Sequence, residues 1–66
     1  MIQPEEIRER MARVGVTQWR LAVESGLSLS TVNVWLAGRL KHPRAETIER
    51  IERAMAELER QYAESL

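Results

Sequence analysis

Residues 17–38 read TQWRLAVESGLSLSTVNVWLAG, and this stretch predicts two short helices joined by a sharp turn. Thr17 and Ser28 are residue types that often cap the N-terminus of a helix, so we expect a helix to begin after each of them. Gly26 lies between the two helices and can adopt the positive φ that a sharp turn requires. The predicted helices are residues 18–25 and 29–37.

The second of these helices is expected to have a core face and an outward face. Val32 and Trp35 lie three residues apart and are predicted to point into the core. The outward face is formed by Leu29, Ser30, Asn33 and Val34, with Thr31 to one side. Because the second helix of such a pair can lie in the major groove of DNA, this outward face is the first candidate for a functional surface.

A longer helix is predicted on each side of the pair. Pro4 suits a first helical turn, which predicts a helix over residues 4–14, and its apolar face contains Ile7, Met11 and Val14. A second long helix is predicted over residues 45–64. Its apolar residues recur at alternating spacings of three and four, at Ile48, Ile51, Met55, Leu58 and Tyr62. Glutamate and arginine four residues apart support both helices, at Glu6–Arg10, Glu9–Arg13, Glu46–Arg50 and Glu49–Arg53. The chain is therefore predicted to be all-α, with four or five helices.

The far end of the last helix has two interpretations. Met55, Leu58 and Tyr62 can close the core of one chain, or they can form a two-fold interface between two copies. A chain of 66 residues buries a modest core, and dimerisation is one common remedy. The apolar stripe of this helix extends beyond the length that the other predicted helices can cover. We therefore predict that these three residues form a dimer interface.

Charge is unevenly distributed, although the net charge is zero. Residues 17–44 carry four basic side chains and one acidic, whereas residues 45–66 carry three basic and six acidic. Local potential rather than net charge steers a polyanion, so the basic excess around the helix pair favours DNA. The candidate phosphate contacts are Arg39, Lys41, His42 and Arg44 in the following loop, together with the Thr31 hydroxyl. A solvated basic loop is the alternative.

The spacing of the helix pair is similar to that of a known family. The positions that carry the likeness are Thr17, Gln18, Leu21, Ala22, Gly26, Ser28, Val32, Trp35 and Gly38. This pattern resembles the Cro/CI-type (XRE-like) helix-turn-helix family of phage and bacterial repressors. The likeness covers residues 7 to about 58 and implies a λ-repressor-like fold.

The resemblance also implies roles for individual residues. In that family the third helix reads bases and the start of the second holds a phosphate, which makes Gln18 the phosphate-anchoring amide. Leu29, Ser30, Asn33 and Val34 would then face base edges, and Arg44 matches a position that approaches the minor groove or the backbone. Leu29 and Val34 occupy positions at which the family usually has long polar side chains that contact bases. The resemblance therefore implies fewer hydrogen bonds to bases here. The single continuous last helix also means that the family's mode of dimerisation cannot simply be transferred.

The side chains of the outward face suit particular base edges. The Asn33 carboxamide can bond adenine N6 and N7 together, and Leu29 and Val34 can touch thymine methyl groups. Each has a plainer alternative, namely a solvent-facing residue or, for Ser30 and Thr31, local bonding to the backbone. Trp19 is expected to be partly exposed, where it can cover the last helix, a partner subunit or the DNA backbone.

Composition excludes several classes of function. Cysteine is absent, so disulfides and thiolate zinc sites are excluded, and His42 is the only histidine. No nucleophile and base stand at a useful spacing, so we expect no enzyme activity, metal or cofactor. No apolar run approaches the ~20 residues of a membrane span, and no signal peptide is evident. We therefore expect one cytoplasmic domain over residues 1–66, with no membrane association and no small-molecule ligand.

These observations predict a sequence-specific DNA-binding transcription regulator that binds an inverted-repeat operator as a homodimer. A small phage or prophage repressor, or an autoregulator of its own operon, fits best, and its regulation is expected to come from concentration alone. The alternative is a protein-interaction module, such as an antitoxin or adaptor, that uses the surface of Leu29 and Val34. Such a module would not need Arg39, Lys41 and Arg44 beside that surface.

Overall fold

A computed structural model describes all of residues 1–66 as four α-helices joined by short loops, with no strand. The prediction that the third helix ends at Ala37 is wrong by one residue, because Ala37 is the C-cap (φ −78°, ψ −5°) and Gly38 follows at φ 74°. None of the helices combines the length and apolarity that a bilayer span needs. The helices are α1 (Pro4–Val14), α2 (Gln18–Ser25), α3 (Leu29–Leu36) and α4 (Ala45–Glu64).

Side-chain caps fix the starts of α2 and α3, and a glycine forms the turn between them. The Thr17 hydroxyl accepts the N–H of Arg20 at 3.1 Å, and the Ser28 hydroxyl accepts the N–H of Thr31 at 3.1 Å. Gly26 has a φ of 72°, a left-handed conformation that favours glycine. Each cap contributes about 1 kcal/mol, so both helices begin where the sequence predicts.

The core lies where α1 and α2 meet the other two helices. α1 and α2 each contact both α3 and α4, whereas the backbones of α3 and α4 do not approach each other. This arrangement covers one face of α3, and the opposite face is exposed at Leu29, Ser30 and Asn33. The molecule measures 37 × 20 × 20 Å. Its buried apolar residues are Ile7, Met11, Leu21, Ala22, Val32, Trp35, Leu36, Ile48, Ile51, Ala54, Met55 and Leu58.

The second half of α4 corrects the predicted dimer interface. Met55 is 0% exposed and Leu58 is 4% exposed, because α4 packs on α1 and α2 along most of its length. Both residues therefore belong to the core of a single chain, and their assignment to an interface between copies is wrong. Tyr62 is 41% exposed and is the one member of the predicted set that reaches the surface.

A two-pronged ion pair holds α4 against α1. The Arg10 guanidinium donates from Nε to Glu59 Oε2 at 2.9 Å and from Nη2 to Glu59 Oε1 at 2.5 Å. This hydrogen bond holds the pKa of Glu59 below its ordinary value against the opposing effect of burial. The predicted Glu46–Arg50 pair is confirmed at 3.1 Å. The pairs predicted at Glu6–Arg10, Glu9–Arg13 and Glu49–Arg53 are not formed.

Two further arginines join the helices. Arg8 of α1 donates from Nη1 to the backbone carbonyl of Leu36, at the C-terminal end of α3. A cation at this end also complements the helix dipole, so the contact fixes α3 relative to α1. Arg20 of α2 donates from Nη2 to Gln61 Oε1 of α4 at 2.9 Å.

Candidate nucleic-acid interface

The outward face of α3 carries the four predicted base-reading residues. Ser30 and Asn33 are exposed, Leu29 is 46% exposed, and Val34 is half-buried. Their spacing places all four on one side of the helix. The opposite side is buried in the core through Val32 and Trp35, as the sequence predicts.

A hydrogen bond between amides joins α2 to this face. Asn33 Nδ2 donates to Gln18 Oε1 at 3.0 Å. The second hydrogen of Asn33 Nδ2, the Asn33 Oδ1 atom and the amide nitrogen of Gln18 make no bond within the chain. Asn33 therefore keeps one donor and one acceptor for a base edge, and Gln18 keeps donors for a phosphate.

The loop between α3 and α4 presents unpaired positive charge beside this face. Its four basic or titratable side chains are exposed and make no hydrogen bond or ion pair within the chain, and they are Arg39, Lys41, His42 and Arg44. Three arginines elsewhere form ion pairs with glutamates, namely Arg10, Arg50 and Arg60. The loop therefore adds uncompensated positive charge directly after α3, where it can attract a polyanion.

Comparison with known proteins agrees with this geometry. A family model described as helix-turn-helix matches residues 7–60, which reach from α1 into the last turns of α4. The chain belongs to the Cro/CI-type (XRE-like) helix-turn-helix family. As a member, this helix-turn-helix protein is a DNA-binding transcription regulator, and the family is typically non-enzymatic. No curated protein and no solved structure matched the chain.

The N-terminus of the third helix of this helix-turn-helix protein is organised by its own hydroxyl groups. Ser28 Oγ accepts the Thr31 N–H and donates to Thr31 Oγ1 at 2.8 Å. Thr31 is half-buried, and its hydroxyl hydrogen remains available to an external acceptor. Ser30 makes no side-chain hydrogen bond within the chain. The assignment of Thr31 to a phosphate and of Ser30 to a base edge therefore stays a prediction.

Glu57, in the second half of α4, is held in its ionised form by its neighbours. A hydrogen bond from Arg60, assisted by one from Gln61, lowers the pKa of Glu57 to about 2. Such a carboxyl group stays ionised near neutral pH. No group of three or more His, Cys, Asp or Glu side chains is placed to hold a metal ion.

Two contacts near the interface cannot be predicted from the sequence. The Gln18–Asn33 bond joins residues 15 positions apart, and Arg8 supports α3 from a helix 28 positions upstream of its acceptor. Both depend on how the helices cross, so no local spacing signals them. By contrast, the predicted exposure of Trp19, which lies beside Gln18 and outside the apolar positions Leu21 and Ala22, is confirmed at 62%.

Proposed function

We propose that this helix-turn-helix protein is a sequence-specific repressor of phage or prophage type, or an autoregulator of its own operon. In this proposal two copies bind an inverted-repeat operator as a homodimer. The observation that carries it is the exposed face of α3, on which the Asn33 amide is held by Gln18 at 3.0 Å. An oriented carboxamide on an exposed helix face is suited to reading a base in the major groove.

Asn33 is the central reader in this proposal. Its free Oδ1 accepts from adenine N6, and the remaining hydrogen of Nδ2 donates to adenine N7. Gln18 holds the other hydrogen of Nδ2, so the amide cannot rotate freely between its two orientations. The free N–H groups of Gln18 then donate to a phosphate on the adjacent backbone. One pair of side chains would thus connect base readout to the position of the helix in the groove.

The neighbours of Asn33 add contacts of two kinds. Leu29 and Val34 meet thymine methyl groups, and Ser30 donates to or accepts from a base edge. Contacts to phosphate supply affinity and salt dependence but carry no direct sequence information. The residues proposed for these phosphate contacts are Gln18, Thr31, Arg39, Lys41, His42 and Arg44.

Symmetry completes the proposal. A homodimer reads the two halves of an inverted repeat, because a two-fold axis relates both the protein copies and the DNA sequence. Tyr62, 41% exposed, is the member of the predicted interface that remains available. Bound copies would repress transcription by occluding polymerase, and DNA binding would be coupled to dimerisation.

Selection of bound duplexes from a random pool tests base reading and symmetry together. We expect the selected sites to contain an inverted repeat with adenine at a fixed position in each half. Sedimentation of the protein with one selected duplex should give two chains per duplex. Selected sites without symmetry, or one chain per duplex, would reject the homodimer. A pool that shows no enrichment would reject sequence-specific binding.

A further inference from the structure

Trp19 is the most conspicuous side chain that the proposed function leaves unused. It is 62% exposed, whereas the other tryptophan, Trp35, is 3% exposed and lies in the core. Trp19 directly follows Gln18 on α2, and Val23, one turn further along the same side, is 57% exposed. Trp19 and Val23 are called the α2 outer strip below.

We propose that Trp19 is a further DNA contact of this protein. Its indole Nε1–H donates to a phosphate oxygen at the edge of the major groove, and its ring lies against the adjoining deoxyribose. The inference rests on the proposed function, since it requires α3 to lie in the groove with Gln18 at the backbone. It assigns a sequence-independent role to Trp19.

Continuity with the reading face is the first argument. Gln18 is bonded to Asn33, so the first turn of α2 lies at the same surface as the reading face of α3. The Thr17 hydroxyl accepts only the N–H of Arg20, and the backbone N–H groups of Gln18 and Trp19 have no acceptor within the chain. The first turn of α2 therefore carries several donors without partners, and the indole N–H adds another.

Charge around the α2 outer strip is the second argument. The first turn of α2 contains no acidic residue. The Arg20 guanidinium is bonded to the neutral amide of Gln61, so no carboxylate compensates its charge. Glu24, the one carboxylate of α2, lines a depression with Arg50 and Arg53 of α4 instead. The surroundings of Trp19 are therefore suited to an anionic partner.

The chemistry of the indole is the third argument. Tryptophan combines a single N–H donor with a large apolar ring. The DNA backbone offers acceptor oxygens on each phosphate next to the apolar face of a sugar. A second copy of the chain is the competing occupant, because Tyr62 lines the same depression as Trp19. Arg20 also lines that depression, so a two-fold contact centred on Trp19 would bring two uncompensated cations together. Tyr62 belongs to α4 and stays available to a second copy without such a contact.

Fluorescence quenching of the full chain tests whether Trp19 becomes covered when DNA binds. Because Trp35 is buried, quenching by acrylamide reports mainly on Trp19. A short random-sequence duplex at low salt is the probe, and anisotropy of a label on the duplex shows independently that the complex has formed. We expect quenching to fall when the duplex binds and to recover when salt dissociates it. Unchanged quenching in a complex that anisotropy detects would overturn the inference alone.

The other outcomes of this experiment are also decisive. Protection that rises with protein concentration in the absence of DNA would place Trp19 between two copies and overturn the inference. Absence of any change in anisotropy would overturn the proposed function, and this inference with it. The two failures are therefore distinguishable.

Substitution separates the two parts of the indole contact. Trp19→Ala is expected to weaken binding of every duplex about tenfold, and Trp19→Phe less, because phenylalanine retains a ring but no N–H. The dependence of affinity on salt should keep its slope, since the indole carries no charge. Leu66→Ala, which also removes a large exposed apolar side chain, is the control and should bind like the wild type. A folded Trp19→Ala chain with wild-type affinity would reject the contact.

Discussion

α3 and α4 both carry apolar residues at helical spacing, yet the two helices use them in opposite ways. On α3, Leu29 is 46% exposed and Val34 is half-buried, whereas on α4 Met55 and Leu58 are at most 4% exposed. Residue type does not separate the two sets. The difference lies in their neighbours. Met55 and Leu58 lie on the face of α4 that packs on α1 and α2, whereas Leu29 and Val34 lie on the face of α3 that is turned away from the core. An apolar stripe therefore indicates a partner only after packing within the chain has been assigned.

The largest effect is expected on the buried face of α4. Leu58→Ala should lower the free energy of unfolding by about 2–5 kcal/mol, because it removes a buried side chain and leaves a cavity. Urea denaturation followed by circular dichroism measures this change. Tyr62→Ala, one turn further along, is the matched control and should change stability by less than about 1 kcal/mol. The opposite outcome would be a Leu58→Ala chain that has normal stability but no longer self-associates. That result would place Leu58 in an interface between copies and remove the contrast with α3.

A substitution on the exposed face of α3 should change the specificity of DNA binding rather than the stability of the fold. Asn33→Ala is expected to lose about 1–3 kcal/mol of discrimination between operators that differ at the adenine it reads. Its urea midpoint should stay near that of the wild type, because Asn33 is exposed. Competition binding with paired duplexes measures the discrimination. Equal discrimination by the wild type and Asn33→Ala would remove Asn33 from the reading face.

A substitution in the loop after α3 should change how strongly DNA affinity depends on salt. Arg44→Ala is expected to lower affinity about fivefold at physiological salt and to reduce the slope of log affinity against log salt by about one. The reduction should be the same for specific and random duplexes, because a phosphate contact carries no sequence information. Arg53→Ala, on α4, is a matched arginine control away from the loop. A loss confined to one operator would instead give Arg44 a role in base reading.

The smallest effect is expected at the ion pair between α1 and α4, in which Arg10 lowers the pKa of Glu59. Because the folded pKa lies below the ordinary value of 4.5, the pair stabilises the fold above that pH and loses its contribution as pH falls through the folded pKa. Glu59→Gln should cost about 1 kcal/mol at pH 7 and show a flatter decline of stability in acid. Urea midpoints from pH 7 to acid measure both. Glu64→Gln, which removes an exposed pair with Arg60, is the control. If the stability of the wild type and of Glu59→Gln declined equally with falling pH, the Arg10–Glu59 pair would be energetically neutral.

Most of the fold could be predicted because its signals are local. Thr17, Ser28 and Gly26 act within one turn of their own position, so the ends of α2 and the start of α3 follow from sequence. The predicted burial of Val32 and Trp35 is also confirmed, since helical period alone places them on one face. The likeness to a known family indicated the same fold and is confirmed by the family match.

What could not be predicted depends on how helices cross. Arg10 had a local candidate in Glu6 but pairs with Glu59, 49 positions away, because packing of α4 on α1 brings that carboxylate closer. The Gln18–Asn33 bond likewise needs the angle between α2 and α3. The burial of Leu58 has the same origin, since a stripe on one helix does not reveal which surface covers it.

The elongated shape of the molecule limits how two copies can share one duplex. The domain is 37 Å long but only 20 Å across. Successive turns of the major groove on one side of B-DNA recur about every 34 Å. Bodies 20 Å across at that separation leave a gap, whereas bodies aligned tip to tip along their length meet. A touching pair on one side of the duplex is therefore expected to lie with its long dimension along the DNA axis, joined at the tips of the molecules rather than along their flanks.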